Sequence, residues 1–264
     1  MLGVFRHALI FGLGPVLQKG ASLVLLPLYT HHLSPADYGE IELLTLLVGL
    51  FVVLFGFEYR QGYIQALNRG KGSKEEARVV SASVFLFSIL ALLGSFCFWF
   101  ALPLFSDTFL EYRLGWEYAA VLTIGLFADI MNFLLSATAQ ARLWSARIVS
   151  ISLVQFILGT GLSVYLIVAL DMGPVGLFAG NAVGSLLMMG VLLHFIRSDI
   201  SRPRKVRETI KPILVFSLPL FVGSLVYFVL RQVDRVVISE YLSLDELVLY
   251  SIGWKLSELL LTFI

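Results

Sequence analysis

The sequence predicts an all-α integral membrane protein, a polytopic helical bundle, and three observations carry that reading. First, 58% of the 264 residues are hydrophobic and only 14% are charged, with a mean hydropathy of +0.89. Soluble domains average about 45–50% apolar and about 25% charged residues, so this chain has too little charge to cover a surface facing water, and a bilayer is the matching solvent. Second, eight apolar runs approach the ~20 residues that a helical crossing needs: 8–29, 41–64, 79–104, 117–138, 147–170, 174–196, 212–233 and 247–264. Such runs exclude a membrane β-barrel, whose strands alternate over about ten residues. Third, the basic residues fall in alternate loops.

The first span follows Arg6 and contains Lys19; with no small-residue cleavage pattern after it, it reads as a retained helix rather than a signal peptide. Glycine and proline inside spans (Gly14, Pro15, Gly161, Gly184, Pro219, Gly223) suit membrane helices, which tolerate kinks and pack closely through small residues. With the N-terminus in the cytoplasm, the cytoplasmic segments hold Arg6; Arg69, Lys71, Lys74 and Arg78; Arg142 and Arg147; and Arg197, Arg202, Arg204, Lys205, Arg207 and Lys211. The opposite loops hold Arg113 alone. The bias of Lys and Arg sets orientation, so eight spans with the N-terminus inside is the expected topology.

The organisation expected is an N-terminal six-helix lobe over 1–196, a basic cytoplasmic linker over 197–211 held near anionic lipids, and the first two helices of a second lobe over 212–264. A weak internal repeat supports it. "LPLYTHHLSPADYGEIELL" (26–44) and "VVISEYLSLDELVLYSIGWKL" (236–256) both run apolar, Leu-Ser, acids, Tyr and apolar again, six spans apart. Parallel repeats of this kind are a transporter feature. Because "LSELLLTFI" stops in mid-span, the sequence is expected to be a fragment of a longer chain.

Those two segments also carry a resemblance. "LVLLPLYTHHLSPADYGEIELLTLLVG" (23–49) and "VDRVVISEYLSLDELVLYSIGWKLSELL" (233–260) resemble the polysaccharide transporter branch of the multidrug/oligosaccharidyl-lipid/polysaccharide exporter superfamily, which includes Wzx-type O-antigen flippases. The resemblance implies a MATE/MurJ-like fold of two six-helix lobes rocking about a cavity lined by helices 1, 2, 7 and 8. It implies an inner-membrane protein that flips undecaprenyl-pyrophosphate-linked oligosaccharide from the inner to the outer leaflet for surface polysaccharide and lipopolysaccharide assembly, alongside a polysaccharide polymerase and glycosyltransferases.

The charges inside spans are the candidate site. A charge at the bilayer centre costs at least ~2.5–3.5 kcal/mol, so each needs a partner, a cavity or an interface. Lys19, Arg60, Arg231, Arg235 and Lys255 fall within or at the edges of spans 1, 2, 7 and 8, the cavity helices of the resembled family, and are the candidate contacts to an anionic headgroup. Glu58, Asp234 and Glu258 are their supporting acids. Helical spacing places Arg231, Asp234 and Arg235 on one face, with guanidinium forks that suit phosphate oxygens; the rival reading is an interfacial ion cluster that sets helix depth, and Arg60 and Arg235 could equally snorkel. Glu58 and Arg60, two residues apart, point to different faces. Lys255 and Glu258 could be an internal ion pair. Asp129, on span 4, is either an ion-coupling site or a structural acceptor working with Asn132. Gln18, Gln155 and Asn181 suit either sugar hydroxyls or interhelical hydrogen bonds, and Tyr29, Trp99, Trp116 and Trp254 suit packing and interface belts.

Other classes find less support. A net charge of +1 gives no nucleic-acid signal, and the lone Cys97 excludes an internal disulfide and reads as a small packed hydrophobe. The adjacent His31 and His32 are poorly spaced for one metal ion. No Gly-rich phosphate loop, His-x-x-x-His or paired acids in a large loop mark a membrane enzyme of polysaccharide assembly, so neither catalysis, cofactor nor metal is expected. A drug or cation antiporter of the same superfamily would want unpaired acids in the cavity helices.

Overall fold

The computed structural model describes residues 14, 16–21, 24–25, 27–29, 31–56, 58–70, 72, 74–110, 114–202, 205–242, 246, 249–251, 253–254 and 257. Its helices are α1 (Pro35–Gly56), α2 (Tyr59–Arg69), α3 (Lys74–Phe109), α4 (Trp116–Ala141), α5 (Ser145–Val168), α6 (Gly173–Ile196) and α7 (Val206–Tyr241), with a short 3₁₀ turn at Arg197–Asp199. Residues 16–21 of the first predicted span are also helical. Among the described residues six helices, α1 and α3 to α7, are long and apolar enough to cross a membrane. They coincide with predicted spans two to seven. The protein is a multi-pass membrane protein; its eighth predicted span falls mainly outside the described residues.

The second span departs from its prediction at both ends. It begins at Pro35, six residues early, because "LSPAD" is a helix start. Ser34 N–H and its hydroxyl both donate to the Asp37 carboxylate at 2.8 Å, Asp37 N–H returns a bond to Ser34 Oγ at 3.2 Å, and Pro35 occupies the first helical position, where a missing N–H costs nothing. Its far end is not one helix through residue 64. The chain breaks after Gly56, and Glu58 sits at φ 46°, ψ 28°, left-handed geometry that costs a non-glycine residue about 1–2 kcal/mol. The short α2 starts beyond that break.

That break lets α2 seal one end of the core. Tyr59 and Tyr63 are fully buried. Their hydroxyls share hydrogen bonds with Ser83 of α3 (2.9 Å) and Thr138 of α4 (2.8 Å), which meets the need of a buried tyrosine for a polar partner. Phe87 and Phe98 of α3 and Leu126, Ile130 and Leu134 of α4 fill the space above them. On α3 the helical period that turns Phe98 inward turns Cys97 outward, so Cys97 is exposed rather than packed. α7 packs on α1, α2 and α3.

The α5–α6 pair is built on small residues. Gly159, Gly180 and Gly184 let the backbones touch: a Cβ on Gly159 would lie 3.1 Å from the Gly180 carbonyl, and one on Gly180 would overlap Ser163 Oγ and the Gly159 carbonyl. Ser163 Oγ also donates to the Leu177 carbonyl at 3.0 Å. Gly180→Ala is therefore expected to destabilise the bundle by about 3 kcal/mol, at the upper end of overpacking costs because backbone cannot yield. Gly190→Ala, whose Cβ meets nothing within 4 Å, is expected to leave the melting temperature in detergent unchanged.

Candidate functional site

Three of the predicted basic segments meet at one end of the bundle. Arg142, which follows α4, donates Nε to Glu76 Oε1 (3.0 Å) and Nη1 to Asp199 Oδ2 (2.7 Å), and its Nη2 lies 2.8 Å from Glu76 Oε1. This ties together the start of α3, the α4–α5 turn and the segment after α6. Burial works against the charge on Arg142, but the hydrogen bonds and attraction of Asp199 and Glu76 outweigh it and hold the guanidinium pKa above its ordinary value. The guanidinium also lies 5.3 Å from the Trp144 ring centroid, and Arg147 lies 5.5 Å from the same ring. Glu76 and Asp199 are distant from Arg142 in sequence, so nothing in the local pattern marks this junction.

Elsewhere, α1 and α7 border a cavity of about 600 Å³ that extends from Glu42 to Glu58, with Leu177 of α6 and Trp254 closing its sides. Glu42 lies in the first half of α1 and Glu58 just beyond its end, and the helix from Glu42 to Gly56 is about 21 Å long, so the cavity is an elongated cleft. Two arginines line it, Arg231 and Arg235, together with Gln232, Thr45 and Ser224. The helical face anticipated on span 7 therefore turns inward at this point.

Its internal wiring differs from the sequence expectation. Arg235 pairs with Glu42 of α1, Nη1 to Oε2 at 3.1 Å, and both side chains are at most 10% exposed. Asp234 instead accepts hydrogen bonds from the Arg235 backbone N–H and from the Tyr250 hydroxyl. Arg231 donates to the Tyr227 hydroxyl at 3.2 Å, and its guanidinium carbon lies 5.6 Å from the Tyr227 ring centroid and 5.4 Å from that of Trp254. Among the described residues, Arg235 Nε and Gln232 Oε1 are buried without a hydrogen-bond partner. A buried donor in that state loses its hydration for no return.

The remaining candidates are dispersed. Arg60 extends from α2 to α4, where its Nε donates to Gln140 Oε1 at 3.1 Å, and Glu58 alone of that pair reaches the cavity wall. Lys19 is half-buried on the first span, next to Gln18, whose amide donates to the Ser152 carbonyl of α5 at 3.2 Å. Asp129 accepts from Ser185 Oγ of α6 at 2.7 Å, and Asn132 donates to the Ser185 carbonyl at 2.8 Å, so both meet one residue of the neighbouring helix. Asp129 and Asn181 line a separate cavity of about 150 Å³. Gln155 faces the α5–α6 surface. His31 and His32 are exposed with their rings in contact, 5.1 Å between centroids. Lys255 and Glu258 lie outside the described residues. No group of three or more possible metal ligands occurs among the described residues.

Sequence reasoning missed Glu42 as the partner of Arg235, and Tyr227 and Trp254 as the frame of Arg231. A faint signal was present: Glu42 lies within 26–44 and Arg235 beside 236–256, the two segments whose patterns match.

The fold is that of the MOP-superfamily transporters. A MATE structure in complex with MaD3S superposes with a TM-score of 0.74 at 18% identity, over 98% of this chain and 61% of that one. An outward-facing multidrug resistance MATE family transporter gives 0.69 at 20% identity, over 96% and 60%. A MOP superfamily transporter from Pyrococcus furiosus Vc1 (DSM3638), described by the reverse polarity of its binding pocket, gives 0.61 at 19% identity, over 96% and 60%. The chain thus spans 60–61% of the length of these structures. No curated protein matches. Residues 4–264 match the profile of the polysaccharide biosynthesis protein family, and the chain belongs to that family.

Proposed function

We propose that the complete protein flips an undecaprenyl-pyrophosphate-linked oligosaccharide across the inner membrane by alternating access, and that the α1–α7 cleft contacts the cargo. The observation that carries this reading is the buried, unpartnered Arg235 Nε on the wall of a cleft in a member of a polysaccharide biosynthesis family. A phosphate oxygen is the acceptor such a guanidinium fits best, because its N–H groups form a planar fork that matches oxyanions. Tyr227 and Trp254 provide aromatic surface beside Arg231, suited to the apolar faces of sugar rings. The test is outward movement of a pyrophosphate-linked oligosaccharide by the full-length protein in liposomes. Movement above protein-free liposomes supports the reading, and its absence at confirmed insertion overturns it.

A second reading has its own observation. Glu42 and Glu58 also line the cleft, so acids and arginines are equal in number there, and a cation antiporter on the MATE fold would use such acids. Uptake of a lipophilic cation driven by a proton or sodium gradient, with no movement of the oligosaccharide, would favour that alternative.

The orientation proposed has the Arg142 end in the cytoplasm, following the positive-inside rule. In a Cys97→Ser background, Arg202→Cys is expected to resist a membrane-impermeant thiol reagent in intact cells while Asp107→Cys reacts. The opposite pattern would invert the topology.

A further inference from the structure

Beside the Arg142 junction, and separate from the cleft, lies a cavity of about 410 Å³ lined by Lys74, Ala77, Arg78, Ser81, Ser201 and Arg202. Three cations and two hydroxyl side chains meet there, and no acid lines it. Glu76 and Asp199, the acids of the adjoining junction, are both engaged by Arg142. Glu75 reaches Arg78 only at 3.7 Å, with both side chains largely exposed, a pairing worth little in water. The far wall is held in place: Ser81 Oγ donates to the Asp199 carbonyl at 2.9 Å and accepts from Ser201 N–H at 3.0 Å, so Arg202 is presented to Lys74 and Arg78 by a fixed backbone.

What continues from this basic cavity identifies its ligand. Along α3, Lys74, Arg78 and Ser81 are followed at three- and four-residue steps by Phe85, Ile89, Leu92 and Phe96, one continuous helical face. Those four are 47–63% exposed. A polar, cationic foot beneath an exposed apolar stripe matches a phospholipid, headgroup below and chain above. We infer that this is a binding site for an anionic phospholipid, with the phosphate and its glycerol headgroup held by Lys74, Arg78 and Arg202. The site is independent of what the cleft carries.

Binding of phosphatidylglycerol and phosphatidylcholine to the full-length protein in detergent, measured by native mass spectrometry across a lipid titration, tests it. Each Lys or Arg near an anionic surface contributes about a fivefold factor, so Arg78→Gln with Arg202→Gln is expected to weaken phosphatidylglycerol binding about 25-fold. Arg78→Lys with Arg202→Lys is expected to retain most of it, and phosphatidylcholine binding should be weak throughout. Equal affinity of the wild type for the two lipids, or unchanged phosphatidylglycerol binding by the Gln pair, overturns the proposal. So does displacement of phosphatidylglycerol by an equal concentration of inorganic phosphate, which would mark a site for soluble phosphate. Both arginines are exposed, so neither substitution threatens the fold.

Discussion

Arg235→Gln is expected to abolish transport and to destabilise the protein, and a second substitution separates the two effects. The single change strips Glu42, 4% exposed, of its ion-pair partner, a defect of about 3–5 kcal/mol. Adding Glu42→Gln removes that charge, so the double variant should regain most of the lost melting temperature. If Arg235 only closes an ion pair between α1 and α7, transport returns with stability. If its guanidinium also holds a phosphate, transport stays at least tenfold down, because a hydrogen bond to a charged group is worth about 1.5–3 kcal/mol. Arg231→Lys should keep part of the activity and Arg231→Gln should lose it, since the lysine preserves charge without the fork. Full flipping by the Glu42→Gln/Arg235→Gln double variant at matched protein levels would reduce Arg235 to a structural role.

The other large effect is expected at Arg142→Leu. Its guanidinium is 18% exposed in side-chain terms and serves two acids at once, so its loss takes the shared cation from two carboxylates that it holds close together. A destabilisation of about 3 kcal/mol is expected. The triple variant Glu76→Gln/Arg142→Leu/Asp199→Asn leaves no lone charge and should recover most of it, because a buried ion network replaced as a whole costs far less than one broken in half. Melting in detergent, followed by tryptophan fluorescence, reads both. A triple variant as unstable as Arg142→Leu would show that packing against Trp144, rather than charge, holds the junction.

The sequence placed the charges of the cleft without showing how they pair. Spacing put Arg231, Asp234 and Arg235 on one face of a helix, and Arg231 and Arg235 do line one cavity. Spacing also suggested that Asp234 would serve both arginines, whereas Arg235 reaches across to Glu42 and Asp234 turns to Tyr250. Local helical geometry says which residues are neighbours on one helix. It carries no information about which neighbouring helix is nearer, and a long guanidinium side chain can cross to another helix. Arg60 illustrates the same limit: its place on span 2 suggested a cavity, and the break at Glu58 directs it to Gln140 instead.

By itself the sequence determined the membrane class, six of the eight spans among the described residues, and the segregation of basic loops to one end. Each of these depends on composition or on a period within one segment, and the bilayer enforces both, because hydrocarbon accepts only helices that bond their own backbone. Only the tertiary structure decided the kink that splits the second span, the Arg142 junction of three loops, the Glu42–Arg235 pair and the cleft between α1 and α7. Those depend on contacts between residues far apart in the chain, whose approach is set by how glycines, tyrosines and charges on different helices pack together.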